Sequence, residues 1–119
     1  KNEMLFILIG TNSIFDKFTN LIIYKFILET VIESINDNLS LEQCYENCIR
    51  KIYINAIMNG VTDTLSCMII FFERFKKLYN LKNIDVVNGI LQGLNLKEEK
   101  NYSNKMRKKP SSENEESDF

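Results

Sequence analysis

Histidine and tryptophan are both absent from this 119-residue chain, and proline occurs once, at Pro110. Without histidine there is no Ser-His-Asp triad, no zincin motif and no imidazole to switch charge near neutral pH. Cysteine is scarce and odd in number: Cys44, Cys48 and Cys67. Three thiols fit reduced side chains in an intracellular protein, cytoplasmic or nuclear, better than a disulfide framework. Cys44-x-x-x-Cys48 is not a CxxC pair and no second pair follows, so no metal is expected. Both thiols read instead as apolar side chains on one buried helical face. Charge of one sign is not in excess either. Fifteen basic and 16 acidic residues leave a net charge of −1, which argues against a nucleic-acid partner.

Long hydrophobic runs are missing too. Met4–Ile9 is apolar but short, and Leu21–Ile32 is interrupted by Lys25 and Glu29. Neither reaches the roughly twenty apolar residues a membrane span requires, so no membrane partner is expected. Met4–Ile9 also lacks a small-residue cleavage site after it and is not read as a signal peptide. There is no Gly-rich phosphate loop and no paired acidic motif, and Ser66-Cys67 has no base nearby in sequence. Neither enzymatic activity nor a cofactor is expected.

What is present is helical periodicity. The N-terminal segment, residues 1–19, is ambiguous: Met4–Ile9 before Gly10 reads as a short strand or a buried helical turn, and Ile14, Phe15 and Phe18 show helical spacing. A helix is predicted over Asn20–Asp37, capped by Thr19 or Asn20 and carrying Ile23, Ile27, Val31 and Ile35 on one stripe. A second is predicted over Leu41–Met58. Ser40 and Gln43 have capping-box spacing, and Asn59-Gly60 supplies a left-handed stop. A third is predicted over Asp63–Tyr79, capped by Thr62 or Asp63. Met68-Ile-Ile-Phe-Phe is also compatible with a buried strand, but the run into Glu73–Lys77 favours a helix on length. A fourth covers Ile84–Leu96, where Gly89 and Gly93, four apart, suggest close helix packing to offset a cost of roughly 1 kcal/mol each. From Lys97 the periodicity fades. Residues 105–119 combine the basic run Lys105–Lys109 with Glu113, Glu115, Glu116 and Asp118, a composition expected to stay disordered. The basic run reads as a solvated charge run in preference to a localisation signal. The fold class expected is all-α, a compact helical bundle over residues 20–104 with a charged tail.

Three stretches carry a family resemblance. Ser40-Leu-Glu-Gln-Cys-Tyr-Glu-Asn-Cys-Ile-Arg50-Lys-Ile52 is similar to the first helix of a cyclin box. Leu65–Phe75, ending Ile-Ile-Phe-Phe-Glu73-Arg74-Phe75, resembles the second helix. Glu98-Glu99-Lys100-Asn101-Tyr102-Ser103-Asn104 resembles the acidic stretch after the third. Together they look like the first half of the box of a short P-type cyclin, incomplete because a charged tail stands where the family's fourth and fifth helices should follow. The resemblance implies a non-catalytic regulatory subunit that binds a cyclin-dependent protein kinase and shifts it toward its active state. The family's kinase-contacting lysine aligns with Asn95, or with Lys97 if the register slips by two. It also implies an ion pair between Arg50 and Glu73, shielded by Ile49 and Phe72, whose breaking would cost roughly 3–5 kcal/mol.

Two other readings are compatible with the same residues. One is a helical scaffold or adaptor subunit unrelated to cyclins. The other is a small α+β trafficking-type domain with Met4–Ile9 and Cys67–Phe72 as strands. In all three the tail offers almost no apolar surface to a core. Deleting residues 105–119 is therefore expected to leave the melting temperature unchanged within about one or two degrees in a thermal melt; a larger drop would mean that the tail docks.

Overall fold

The computed structural model describes residues 5–108, and the side chains of that range apart from 98, 99 and 101–108. The element order is β1 (Phe6–Gly10), α1 (Asn12–Lys17), α2 (Asn20–Asn36), α3 (Leu41–Met58), β2 (Cys67–Phe71), α4 (Glu73–Asn80) and α5 (Ile84–Lys108). The chain is mostly helical, but it is not all-α. The third predicted helix, Asp63–Tyr79, is divided: Cys67–Phe71 is a strand, and only Glu73–Asn80 is helical. The N-cap of that helix is Phe72, whose extended backbone (φ −83°, ψ 169°) breaks the continuity, not Thr62 or Asp63.

The reason is a partner distant in sequence. β2 pairs antiparallel with β1, with Phe6 opposite Phe71, Leu8 opposite Ile69 and Gly10 opposite Cys67. In each strand burial alternates: Ile69 is buried between exposed Met68 and Ile70, and Leu8 is half-buried between exposed Ile7 and Ile9. That is the period of a pleat with one covered face. The cross-strand pairing wins over the helical continuity of the 63–79 window, and the helix-compatible Glu73–Asn80 is left as two turns of its own.

Behind the sheet, α2 packs against α3 on one side and α5 on the other. It buries Ile23, Ile27, Leu28, Val31 and Ile35, while α3 contributes Cys44, Cys48, Ile52 and Ala56 at every fourth position. This is the stripe of an amphipathic helix. Aromatic rings carry the core from the sheet to the helices. Phe6 meets Phe71 at 6.3 Å between centroids, Phe71 stacks on Phe75 at 4.1 Å, and Phe75 stacks on Tyr79 at 6.1 Å. Tyr24 and Tyr45 pack edge-on against Phe6 and Phe71. Offset and edge-to-face pairs of this kind add about 0.5–1.5 kcal/mol each beyond their buried area.

The helix ends are closed locally. Ser40 and Gln43 form the capping box: the Gln43 N–H donates to Ser40 Oγ at 3.1 Å, and the Ser40 N–H donates to Gln43 Oε1 at 3.0 Å. Three helices stop in the same way, with a left-handed residue after the cap: Asn38 (φ 60°) after α2, Gly60 (φ 89°) after α3 and Lys82 (φ 54°) after α4. At each, the next N–H reaches back to a carbonyl five residues earlier: Leu39 to Ser34, Val61 to Ala56 and Asn83 to Leu78. These are Schellman closures, which satisfy the last carbonyls of a helix.

Two further expectations need correction. Gly89 and Gly93 are exposed, and a Cβ at either would meet nothing within 4 Å. They do not mediate close packing, because the packed stripe of α5 lies elsewhere, on Val87 and its neighbours Ile90, Leu91 and Leu94. The helix also continues past Leu96 to Lys108, taking in residues 105–108 of the expected tail; the remainder of that tail, 109–119, lies outside the described residues. The alternating burial sets a contrast for measurement. Phe75→Ala should cost about 3–5 kcal/mol in urea unfolding, whereas Ile70→Thr, exposed and still β-branched, should cost less than about 1 kcal/mol.

Candidate interaction surface

Among the described residues the sheet has two strands, so each strand has an edge without a strand neighbour. The flanking hydrogen bonds identify which backbone groups face those edges. The Phe72 N–H donates to the Leu5 carbonyl at 2.8 Å, and the Thr11 N–H donates to the Ser66 carbonyl at 2.9 Å. In an antiparallel ladder, bonded and non-bonded opposite pairs alternate. The bonded pairs are therefore Ile7 with Ile70 and Ile9 with Met68. The N–H and C=O of Cys67, Ile69 and Phe71 point outward from β2, and those of Phe6, Leu8 and Gly10 point outward from β1. Gly10 leaves little room where it faces Cys67, for an added Cβ would lie 3.3 Å from the Ser66 carbonyl oxygen and 3.4 Å from Cys67 Cβ.

The side chains of the bonded pairs form a block on the outer face. Ile7 is 38% exposed, Ile9 53%, Met68 51% and Ile70 42%, and no charged residue interrupts them. A contiguous apolar patch of this kind marks an interaction surface more often than a solitary exposed leucine does. It was not recognisable in advance. Met4–Ile9 and Met68–Phe72 are apolar at every position, so the sequence carries no alternation to separate the covered side from the bare one.

Each edge is flanked by a hollow. Beside β1, one of about 180 Å³ is bounded by Phe6, Ile7, Leu8, Asn20, Ile23 and Tyr24. Beside β2, an open groove of about 360 Å³ is walled by Tyr45, Ile49 and Tyr53 of α3 with Cys67 of β2, and Glu46 and Arg50 stand on its rim.

The residues singled out by the cyclin resemblance do not come together as one site. Arg50 and Glu73 are both exposed, and among the described residues no ion pair joins them. Arg50 Nη1 instead donates to Asn47 Oδ1 at 3.2 Å. The reason is the strand: with Cys67–Phe71 extended, Glu73 opens a new helix in place of closing an old one. Asn95 is half-buried and Lys97 exposed, both on α5.

The thiols behave as the buried-face reading expects. Cys44 and Cys48 are fully buried, Cys67 is half-buried, and all three are free. Hydrogen bonding to Cys44, reinforced by burial, pushes the Cys48 thiol up, and burial pushes Cys67 up. Among the described residues no group of three His, Cys, Asp or Glu side chains could hold a metal ion, and no helix is long and apolar enough to cross a membrane. No known protein family, curated protein or solved structure matches the chain.

Tyr79 ties the end of the aromatic stack to the α2–α3 turn: its hydroxyl donates to the Leu39 carbonyl at 2.6 Å. Burial, helped by Cys44, pushes its pKa up to about 12 from an ordinary value of 10.0. A folded value above the unfolded one means that this group's contribution is complete below pH 10 and is lost as the pH rises through about 12. Tyr79→Phe should therefore be less stable than the parent at pH 8, and the gap between them should narrow between pH 10 and 12. Urea midpoints across that range test it; a gap independent of pH would show that the phenol keeps its ordinary titration.

Proposed function

We propose that this chain is a non-catalytic protein-binding module of the adaptor type. The observation that carries the reading is the bare outer face of the sheet, where Ile7, Ile9, Met68 and Ile70 stand in register beside two open strand edges. A two-stranded sheet is marginal by itself in water. Here the helices cover one face, and the other is left for a partner to cover. The mixed build is nearer to a small α+β domain than to a helical bundle, since Cys67–Phe71 is one of its strands.

A kinase-regulating role is the competing proposal. It would run through Asn95 and Lys97 on α5. What weighs against it is that the stretch resembling the second cyclin-box helix is a strand followed by a short helix, and that Arg50 bonds Asn47 instead of Glu73.

One experiment separates the two. Immobilised chain should retain a stoichiometric protein partner that an Ile9→Lys/Met68→Lys variant loses, with the circular dichroism of the two unchanged. Purified cyclin-dependent kinase should pass through both. Retention of that kinase by the parent and by the double variant, with loss on Lys97→Glu, would replace the adaptor reading with the regulatory one.

A further inference from the structure

We infer that the open edge of β2 takes up one extended segment of a partner polypeptide as an added strand, seated in the groove along α3. The inference rests on the protein-binding reading above and names its mode. Cys67 and Phe71, half-buried, and Ile69, only 4% exposed, turn N–H and C=O groups without a strand partner toward this edge, and the natural complement of such groups is another extended backbone. The groove lies where the side chains of such a strand would fall. A strand beside β2 sits about 4.8 Å away, with alternate side chains on opposite faces. Those on the inner side meet Tyr45, Ile49 and Tyr53, all half-buried, and those on the outer side continue the exposed row of Met68 and Ile70. Both sets of contacts call for apolar residues.

The β2 edge is the better seat of the two. Its groove, about 360 Å³, is twice the size of the one beside β1, about 180 Å³, and it carries two tyrosine rings. A lone strand also fits better than a second copy of this chain. Tyr45, Ile49 and Tyr53 place α3 along the β2 side of the groove, so pairing two β2 edges would bring the two α3 helices into the same space. Strands would be about 4.8 Å apart, whereas packed helices need axes about 8–10 Å apart.

The rim sets the direction and the charge of the segment. Tyr45 packs against Phe71, and Tyr53 lies by Cys67. Glu46 therefore stands toward the Phe71 end of the groove and Arg50 toward the Cys67 end. A strand running antiparallel to β2 enters at the Phe71 end. Glu46 and Arg50 are one helical turn apart, about 6 Å or two residues of an extended strand, so the segment would carry a basic residue beside Glu46 and, two positions on, an acidic residue beside Arg50, within an otherwise apolar stretch.

The probe is a random decapeptide library displayed on phage and selected against the whole chain. Enriched peptides should share a basic residue followed two positions on by an acidic one, within an otherwise apolar stretch. A synthetic peptide of the enriched sequence should slow amide exchange at Cys67, Ile69 and Phe71 by at least about tenfold. Glu46→Lys/Arg50→Glu, which alters only exposed side chains, should weaken that peptide by about tenfold and bind its charge-inverted version better. Enriched peptides that leave those three amides unchanged would overturn the inference, as would slowing of the same amides by rising concentration of the chain alone, which would make the occupant a second copy. A partner lost on Ile9→Lys/Met68→Lys while the edge amides stay fast would leave the protein-binding reading standing and remove this one. Neither enrichment nor capture would remove both.

Discussion

The stack of Phe71 on Phe75, 4.1 Å between ring centroids, is the contact on which the rest of the arrangement depends. Phe71 ends β2 and Phe75 lies in the first turn and a half of α4, so the stack fixes the corner at which strand becomes helix. Phe6, opposite Phe71, brings in β1, and Tyr45 brings in α3. From Phe75 the stack passes to Tyr79, whose hydroxyl holds the Leu39 carbonyl in the α2–α3 turn. Five elements thus meet through a handful of rings. Aromatic side chains suit that role because each covers a large apolar area with only two side-chain torsions to fix.

The consequence is an asymmetric sheet. The ring contacts of Phe6 and Phe71 lie on its inner face, where they join the helical core. On the outer face Ile7, Ile9, Met68 and Ile70 remain 38–53% exposed, yet they are as apolar as the residues inside. Sheets that face water on one side normally carry polar residues there. The departure from that pattern at Ile7, Ile9, Met68 and Ile70 is what distinguishes this surface from an ordinary solvated one, and the open edge beside Tyr45, Ile49 and Tyr53 is continuous with it through β2.

Legibility varied with the range of the interactions concerned. α2 and α3 were recognisable almost to the residue, because their stripes repeat at the helical period and their ends carry local signals: Thr19, the Ser40–Gln43 box and Gly60. β2 was misread as helix, because its partner is β1, more than fifty residues earlier, and a run apolar at every position has no period to betray it. The Arg50–Glu73 pair and the close packing at Gly89 and Gly93 failed for a related reason. Each depended on where two helices sit relative to each other, which spacing along one chain does not specify.

Composition and local pattern alone determined the absence of histidine chemistry, the two buried thiols on one face of α3, the helical character of most of the chain and the ends of α2 and α3. These are properties of single segments, decided by contacts three or four residues apart. Tertiary structure decided the sheet, its register, which side of it is bare, and the groove along α3. Those follow from pairing Phe6–Gly10 with Cys67–Phe71, a long-range choice made by the core as a whole: a strand apolar on both sides has two equivalent faces until something packs on one of them.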